Sequence, residues 1–179
     1  RNNFLKASIT PISSNGKVVM SSLNPDHVHA VINAINEGPY FKHLSMPVRE
    51  MGEGFAIVDL QVGNEHLNPF GGIHGGAYSS IIDTAAYWAV YCELEENVGF
   101  ISIALKIDFL APISSGVITA KGRSIKMGKT MCLAEATAMD ENGKWLAHGT
   151  SKMMVTKGLQ TIEDAFNFTG SQALPPKFI

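Results

Sequence analysis

The run Asn68-Pro69-Phe70-Gly71-Gly72-Ile73-His74-Gly75-Gly76, followed by Asp83, holds the residue types of a reactive site. A glycine-rich turn that enters a helix lets backbone N–H groups face a ligand without obstruction by side chains. The helix start adds a partial positive charge, which suits a developing oxyanion as well as a phosphate. Asp83 follows Gly76 by about two helical turns, so it falls on the face of that turn. From Gly75 to Cys92 it is the only charged residue. A carboxylate in so apolar a helix pays a desolvation cost that only partners can offset, which makes Asp83 a functional-site candidate.

The elements that must hold these residues are legible from periodicity. Residues 24–37 read as an amphipathic helix: Asn24 is the N-cap, Pro25 suits the first helical position, and Gly38-Pro39 ends it. Val28, Val31, Ile32 and Ile35 form its apolar stripe, with His27 and His29 expected at the surface. Strand-like alternation starts near Pro47 and is clear over Phe55–Val62. A loop follows, then a helix from Gly75 to about Glu93 that is apolar on nearly every side. Four strands are expected after it: Phe100–Phe109, Val117–Lys126, Thr130–Met139 and Trp145–Val155. In the first, Ile101, Ile103, Leu105, Ile107 and Phe109 share one face by strict alternation. Met127-Gly128 and Asn142-Gly143 mark reversals. A lone apolar helix must be enclosed, so the expected architecture is α+β, one antiparallel sheet curled around a long central helix, plus the leading helix. Ala85, Ala86 and Ala89 on the helix, with Ala134, Ala136 and Ala138 on a strand, allow a close approach.

With 179 residues, 45% hydrophobic and 17% charged, the chain has the makings of one compact domain. The expected organisation is an extension over 1–22, the domain over 23–157 and a tail over 158–179, with a short helix near Ile162–Phe166. A net charge of -2 gives no reason to expect nucleic acid or an anionic membrane as partner. The mid-run Asp83 and the lack of basic flanks argue against a membrane helix. Cys92 and Cys132 lie in apolar stretches without metal or redox spacing, and residues 1–15 carry no apolar signal run. A cytoplasmic protein is therefore expected. His66, His74, Asp83 and His148 show neither HxxxH nor HExxH spacing, so neither a metal nor another cofactor is expected. Ser79 and Ser80 lack the G-x-S-x-G setting of a serine hydrolase.

The pattern Asn-Pro-x-Gly-x-x-His-Gly-Gly, with Asp83 following, resembles the hotdog acyl-CoA thioesterases of the phenylacetyl-CoA thioesterase type. The resemblance runs from about Pro47 to Val155 and continues in Ile101-Ser102-Ile103, Phe109-Leu110-Ala111-Pro112 and Arg123 to Thr130. It implies the hotdog fold and hydrolysis of an acyl-CoA. It implies Asp83 as general base on water or as nucleophile, and the Gly75 N–H as holder of the thioester carbonyl oxygen, supported by Asn68. It further implies that His74 shapes the turn and assists the leaving thiolate, and that Ser102 orients water. Gly76 and the hairpin residues Lys126, Gly128, Lys129 and Thr130 would bind the CoA portion. It also implies a homo-oligomer, a dimer or a dimer of dimers, with the site between two subunits.

Each role has a plainer rival. Asp83 could be a structural carboxylate capped by local donors, His74 a helix-entry residue, and Asn68 an ordinary turn residue. On strict alternation Ser102 shares the solvated face of Ala104, Lys106 and Asp108. Solubility alone explains Lys126 and Lys129. Two other functions compete with the thioesterase: a hotdog hydratase or dehydratase, whose residue spacing this chain does not match, and a non-catalytic acyl-CoA-binding protein.

Overall fold

The computed structural model describes residues 21–171 and 173–179. Helix α1 (Pro25–Asn36) begins at Asn24, whose side chain accepts from the Asp26 N–H, and it buries Val28, Val31 and Ile35. A short α2 (Pro39–His43) follows at once, because Gly38-Pro39 ends one helix and Pro39 starts the next. Strands β1 (Val48–Gly52) and β2 (Phe55–Gln61) lead to a 3₁₀ turn at Asn64–His66 and then to α3 (Gly75–Tyr91). Strands β3 (Gly99–Phe109), β4 (Val117–Lys126), β5 (Met131–Met139) and β6 (Trp145–Thr156) come next, and α4 (Ile162–Thr169) closes the order.

The six strands form one antiparallel sheet in the order β1-β2-β4-β5-β6-β3. The sheet wraps α3, whose Ile81, Ile82, Ala85, Ala86, Ala89 and Val90 are all fully buried. Ala120, Ala134, Ala136 and Ala138 supply the facing small side chains. Closest approach falls at Gly122, where an added Cβ would sit 2.0 Å from the Ala85 carbonyl oxygen. The helix can therefore lie against β4 only where a side chain is missing. The expected α+β architecture and the four late strands are found. Among the described residues, no helix is long and apolar enough to cross a membrane.

Two expectations fail on tertiary grounds. His27 is buried, not at the surface: its Nδ1–H donates to the Pro175 carbonyl at 2.6 Å and its Nε2 accepts from the Tyr91 hydroxyl at 2.6 Å. The cover is the tail, which returns across α1 through a Leu23–Phe178 bridge. Nor is β3 a strict alternation. Ser102 pairs with Met153 and Ala104 with Lys152, so two steps on β3 match one on β6, with Ile103 as the extra residue of a β-bulge.

Candidate active site

That bulge builds the centre of the site. Beyond it, Leu105, Ile107 and Phe109 pair with Ser151, Gly149 and Ala147 and face α3. Before it, Ser102 faces α3 as well, because the extra residue reverses the phase of the strand. Ser102 thus parts from Ala104, Lys106 and Asp108, with which strict alternation groups it, while staying exposed on the edge strand. Its hydroxyl donates to Asp83 Oδ1 at 3.0 Å. A second hydroxyl, that of the fully buried Ser151 on β6, donates to the same oxygen at 3.0 Å. Asp83 is half-buried on α3, and two donors meet the desolvation cost on its buried side. Oδ2 is left free of both hydroxyls.

Asp83 lies in a cleft of about 450 Å³ between α3, α2 and β3. Tyr40 and Phe41 come from α2, Thr84, Tyr87 and Trp88 from α3, and Leu105 from β3. The Tyr40 hydroxyl meets Ser80 Oγ at 2.5 Å, fixing α2 against α3. Ser79 and Ser80 are turned back onto the carbonyls of Gly75 and Gly76, both at 2.9 Å, as helix-packed hydroxyls. Tyr87 stacks on Phe100 with centroids 3.9 Å apart and donates to the Phe100 carbonyl at 2.7 Å. Burial, and then the nearby Asp83 carboxylate, push the Tyr87 phenol up. It is a wall and a donor, not an acid for the reaction.

The glycine-rich loop is organised by its own side chains. Asn68 Oδ1 accepts from the N–H groups of Phe70 (2.9 Å) and Gly72 (3.3 Å), while Nδ2 donates to the Ile73 carbonyl at 3.3 Å. His74 is the N-cap of α3: its Nδ1 accepts from the Gly76 N–H at 2.8 Å. An Nδ1 that accepts carries its proton on Nε2 in the neutral ring. Gly75 is the first helical residue, and its N–H has no carbonyl one turn back within the helix. The Phe109 ring stands over it, 3.1 Å from where a Cβ would be. Eight residues of helix put Gly75 and Asp83 of one chain roughly 12 Å apart along the axis.

The structure therefore brings Asp83 and Ser102 together and leaves Asn68, His74, Gly75 and Gly76 at the far end of α3. Lys126, Gly128, Lys129 and Thr130 lie at the β4–β5 hairpin and do not line the cleft. Ser151 was missed by periodicity alone. Its signal was a hydroxyl among Ala147, Gly149 and Met153, the residues of β6 that face the core. Among the described residues, no group of three or more His, Cys, Asp or Glu is placed to hold a metal.

A family model described as the thioesterase superfamily matches residues 70–147. Acyl-coenzyme A thioesterase 13 of Mus musculus is 30% identical over 97 residues, covering 52% of this chain and 67% of that protein. Proofreading thioesterase EntH of Klebsiella pneumoniae is 26% identical over 115 residues, covering 64% of this chain and 84% of that protein. A thioesterase structure from Haemophilus influenzae superposes with a TM-score of 0.67 at 23% identity, covering 72% of this chain and 90% of that one.

Proposed function

The chain belongs to the thioesterase superfamily, and from that premise we propose that it hydrolyses an acyl-CoA to the free acid and CoA with Asp83 as the working carboxylate. The observation that carries this reading is a half-buried carboxylate held at Oδ1 by two serine hydroxyls, on a side chain that lines a cleft. A lone carboxylate suits a thioester, because a thiolate leaves readily; thiols have a pKa of about 8.5, far below that of an alcohol. As general base, Asp83 takes a proton from water while the water oxygen bonds to the thioester carbon. The C–S bond then breaks and the thiolate recovers a proton from Asp83. As nucleophile, Asp83 forms an acyl anhydride, expels the thiolate and is freed by water. In both routes the carbonyl oxygen becomes an oxyanion, for which the Gly75 N–H at the helix start is the donor, on a turn shaped by Asn68 and His74.

The acyl-CoA substrate draws support from the mouse relative, an acyl-coenzyme A thioesterase. We take the protein to be a homo-oligomer with the site shared between two chains, a reading supported by the roughly 12 Å of helix that separates Asp83 from Gly75 within one chain. Strand β3 is the sheet edge such pairing would cover, with Ile103 48% exposed. We take residues 23–157 as the catalytic domain and 158–179 as a tail docked on it. The buried free thiols of Cys92 and Cys132 suit a reducing cytoplasm.

Thiol release over a panel of aryl- and acyl-CoAs tests the reading, with Asp83→Asn as control. The variant keeps size and acceptor, so its melt should match wild type while kcat falls by about 10²–10⁴. Near-normal kcat in a folded Asp83→Asn protein would refute Asp83 as the working carboxylate. Lys126 and Lys129, both exposed, are proposed to meet CoA phosphates, with Gly128 and Thr130 shaping that turn. Changing both lysines to Ala should raise KM several-fold at low salt and leave kcat alone. An unchanged KM removes them from the site.

A further inference from the structure

Behind the cleft lies a second cavity, of about 300 Å³, between the last turns of α3, the start of β3 and α4. We propose that the end of the substrate's acyl group lodges there, so that the C-terminal helix makes the enzyme selective for medium-length acyl chains. This rests on the thioesterase reading above.

Tyr87 and Trp88 line both spaces, so the cavity lies directly against the cleft that holds Asp83, with that one pair of aromatic side chains between them. The remaining walls are mostly apolar: Val98 just before β3, Phe100 on it, and Ile162, Ala165 and Phe168 from α4. The carboxylate on the rim, Asp164, is already engaged, accepting from both the N–H and the hydroxyl of Thr161 at 2.9 Å. Phe168 is 75% exposed, an aromatic ring that an alkyl chain would partly cover. Helix α4 is a fixed wall: Ile162 and Phe166 are buried, and the segment beyond is anchored by Lys177 Nζ on the Tyr91 (2.7 Å) and Leu94 (2.8 Å) carbonyls. It lies outside residues 70–147, the part matched by the family model. From Asp83 to Tyr91, α3 rises roughly 12 Å, the length of an extended chain of about eight to ten carbons.

The test measures kcat/KM for acetyl-, octanoyl- and palmitoyl-CoA with wild type, Ala165→Phe and Val98→Phe, which fill the cavity from opposite walls. Wild type should prefer octanoyl to acetyl by tenfold or more, gain nothing further at palmitoyl, and lose at least tenfold of the octanoyl-to-acetyl ratio in each variant. A loss of folded enzyme scales both substrates alike and leaves that ratio unmoved. An unchanged ratio in the variants, or a wild type indifferent to chain length, overturns the proposal while leaving thioester hydrolysis intact. No thiol release from any thioester overturns the thioesterase reading and this assignment with it. Should neither variant fold, a crystal structure of wild type with the thioether S-octyl-CoA decides: the alkyl end beneath α4 supports the proposal, and the alkyl end elsewhere overturns it.

Discussion

Ser102 and Ser151 donate to the same oxygen of Asp83, but from different surroundings. Ser102 is exposed on the edge strand, while Ser151 is fully buried. Water can replace the first hydroxyl and cannot easily reach the second. Ser151→Ala should therefore lower kcat about tenfold, since a hydrogen bond to a charged group contributes roughly 1.5 kcal/mol or more. The thermal midpoint should also fall by a few degrees, because the buried side of the Asp83 carboxylate loses one of the two donors that offset its desolvation. Steady-state kinetics beside a melt reads both, and a Ser151→Ala enzyme with wild-type kcat would show that the Ser102 hydroxyl alone suffices to hold the carboxylate.

At the scale of elements, the tail and α3 meet in a buried titratable cluster. Lys177 is almost wholly buried, 4.1 Å over the Tyr91 ring, and satisfies carbonyls at the C-terminal end of α3. Burial pushes its ammonium down to about 8. His27 is held below its usual value of 6.5, chiefly by burial and also by the charge of Lys177, against the Pro175 hydrogen bond and Glu96, which raise it. Because the folded state binds this proton more weakly than the unfolded chain, His27's contribution to stability is complete above about pH 6.5 and is lost as pH falls through the folded value. Protonation also removes the Nε2 lone pair that accepts from Tyr91. Wild type should melt at progressively lower temperature from pH 7.5 to 5. His27→Gln, which can donate to Pro175 and accept from Tyr91, should flatten that slope. Equal slopes for the two proteins would clear His27 of any part in acid sensitivity.

The whole molecule, in this reading, is half of two sites. Asp83→Asn chains keep an intact Gly75 turn, and Gly75→Val chains keep Asp83 but place a side chain against the Phe109 ring. Each homo-oligomer should be inactive. Refolded together in equal amounts, half the dimers are mixed and one site in each has both wild-type residues, so about one quarter of wild-type activity should return. Thiol release that stays at the level of the parents would place the complete site within one chain.

The sequence by itself determined the α+β architecture and the chemistry-bearing loop and helix. Periodicity, capping and the isolation of Asp83 are local properties, and they were enough to place the Asn24 cap, α3 and the four late strands. Membership in the thioesterase superfamily was legible by another route, the resemblance of the Asn68 to Gly76 motif with Asp83 to a known family. Tertiary structure decided what depends on pairing and on distant cover. The bulge at Ile103 exists only through the register of β3 against β6, and it turns Ser102 toward Asp83 against the strand's apparent alternation. Ser151 became a partner because β6 lies beside β3, though far from it in the chain. His27 looked like a surface residue on α1 until the Pro175–Lys177 segment crossed it. Single-strand periodicity holds no record of what packs on top of it, which is why the carboxylate was readable and its supports were not.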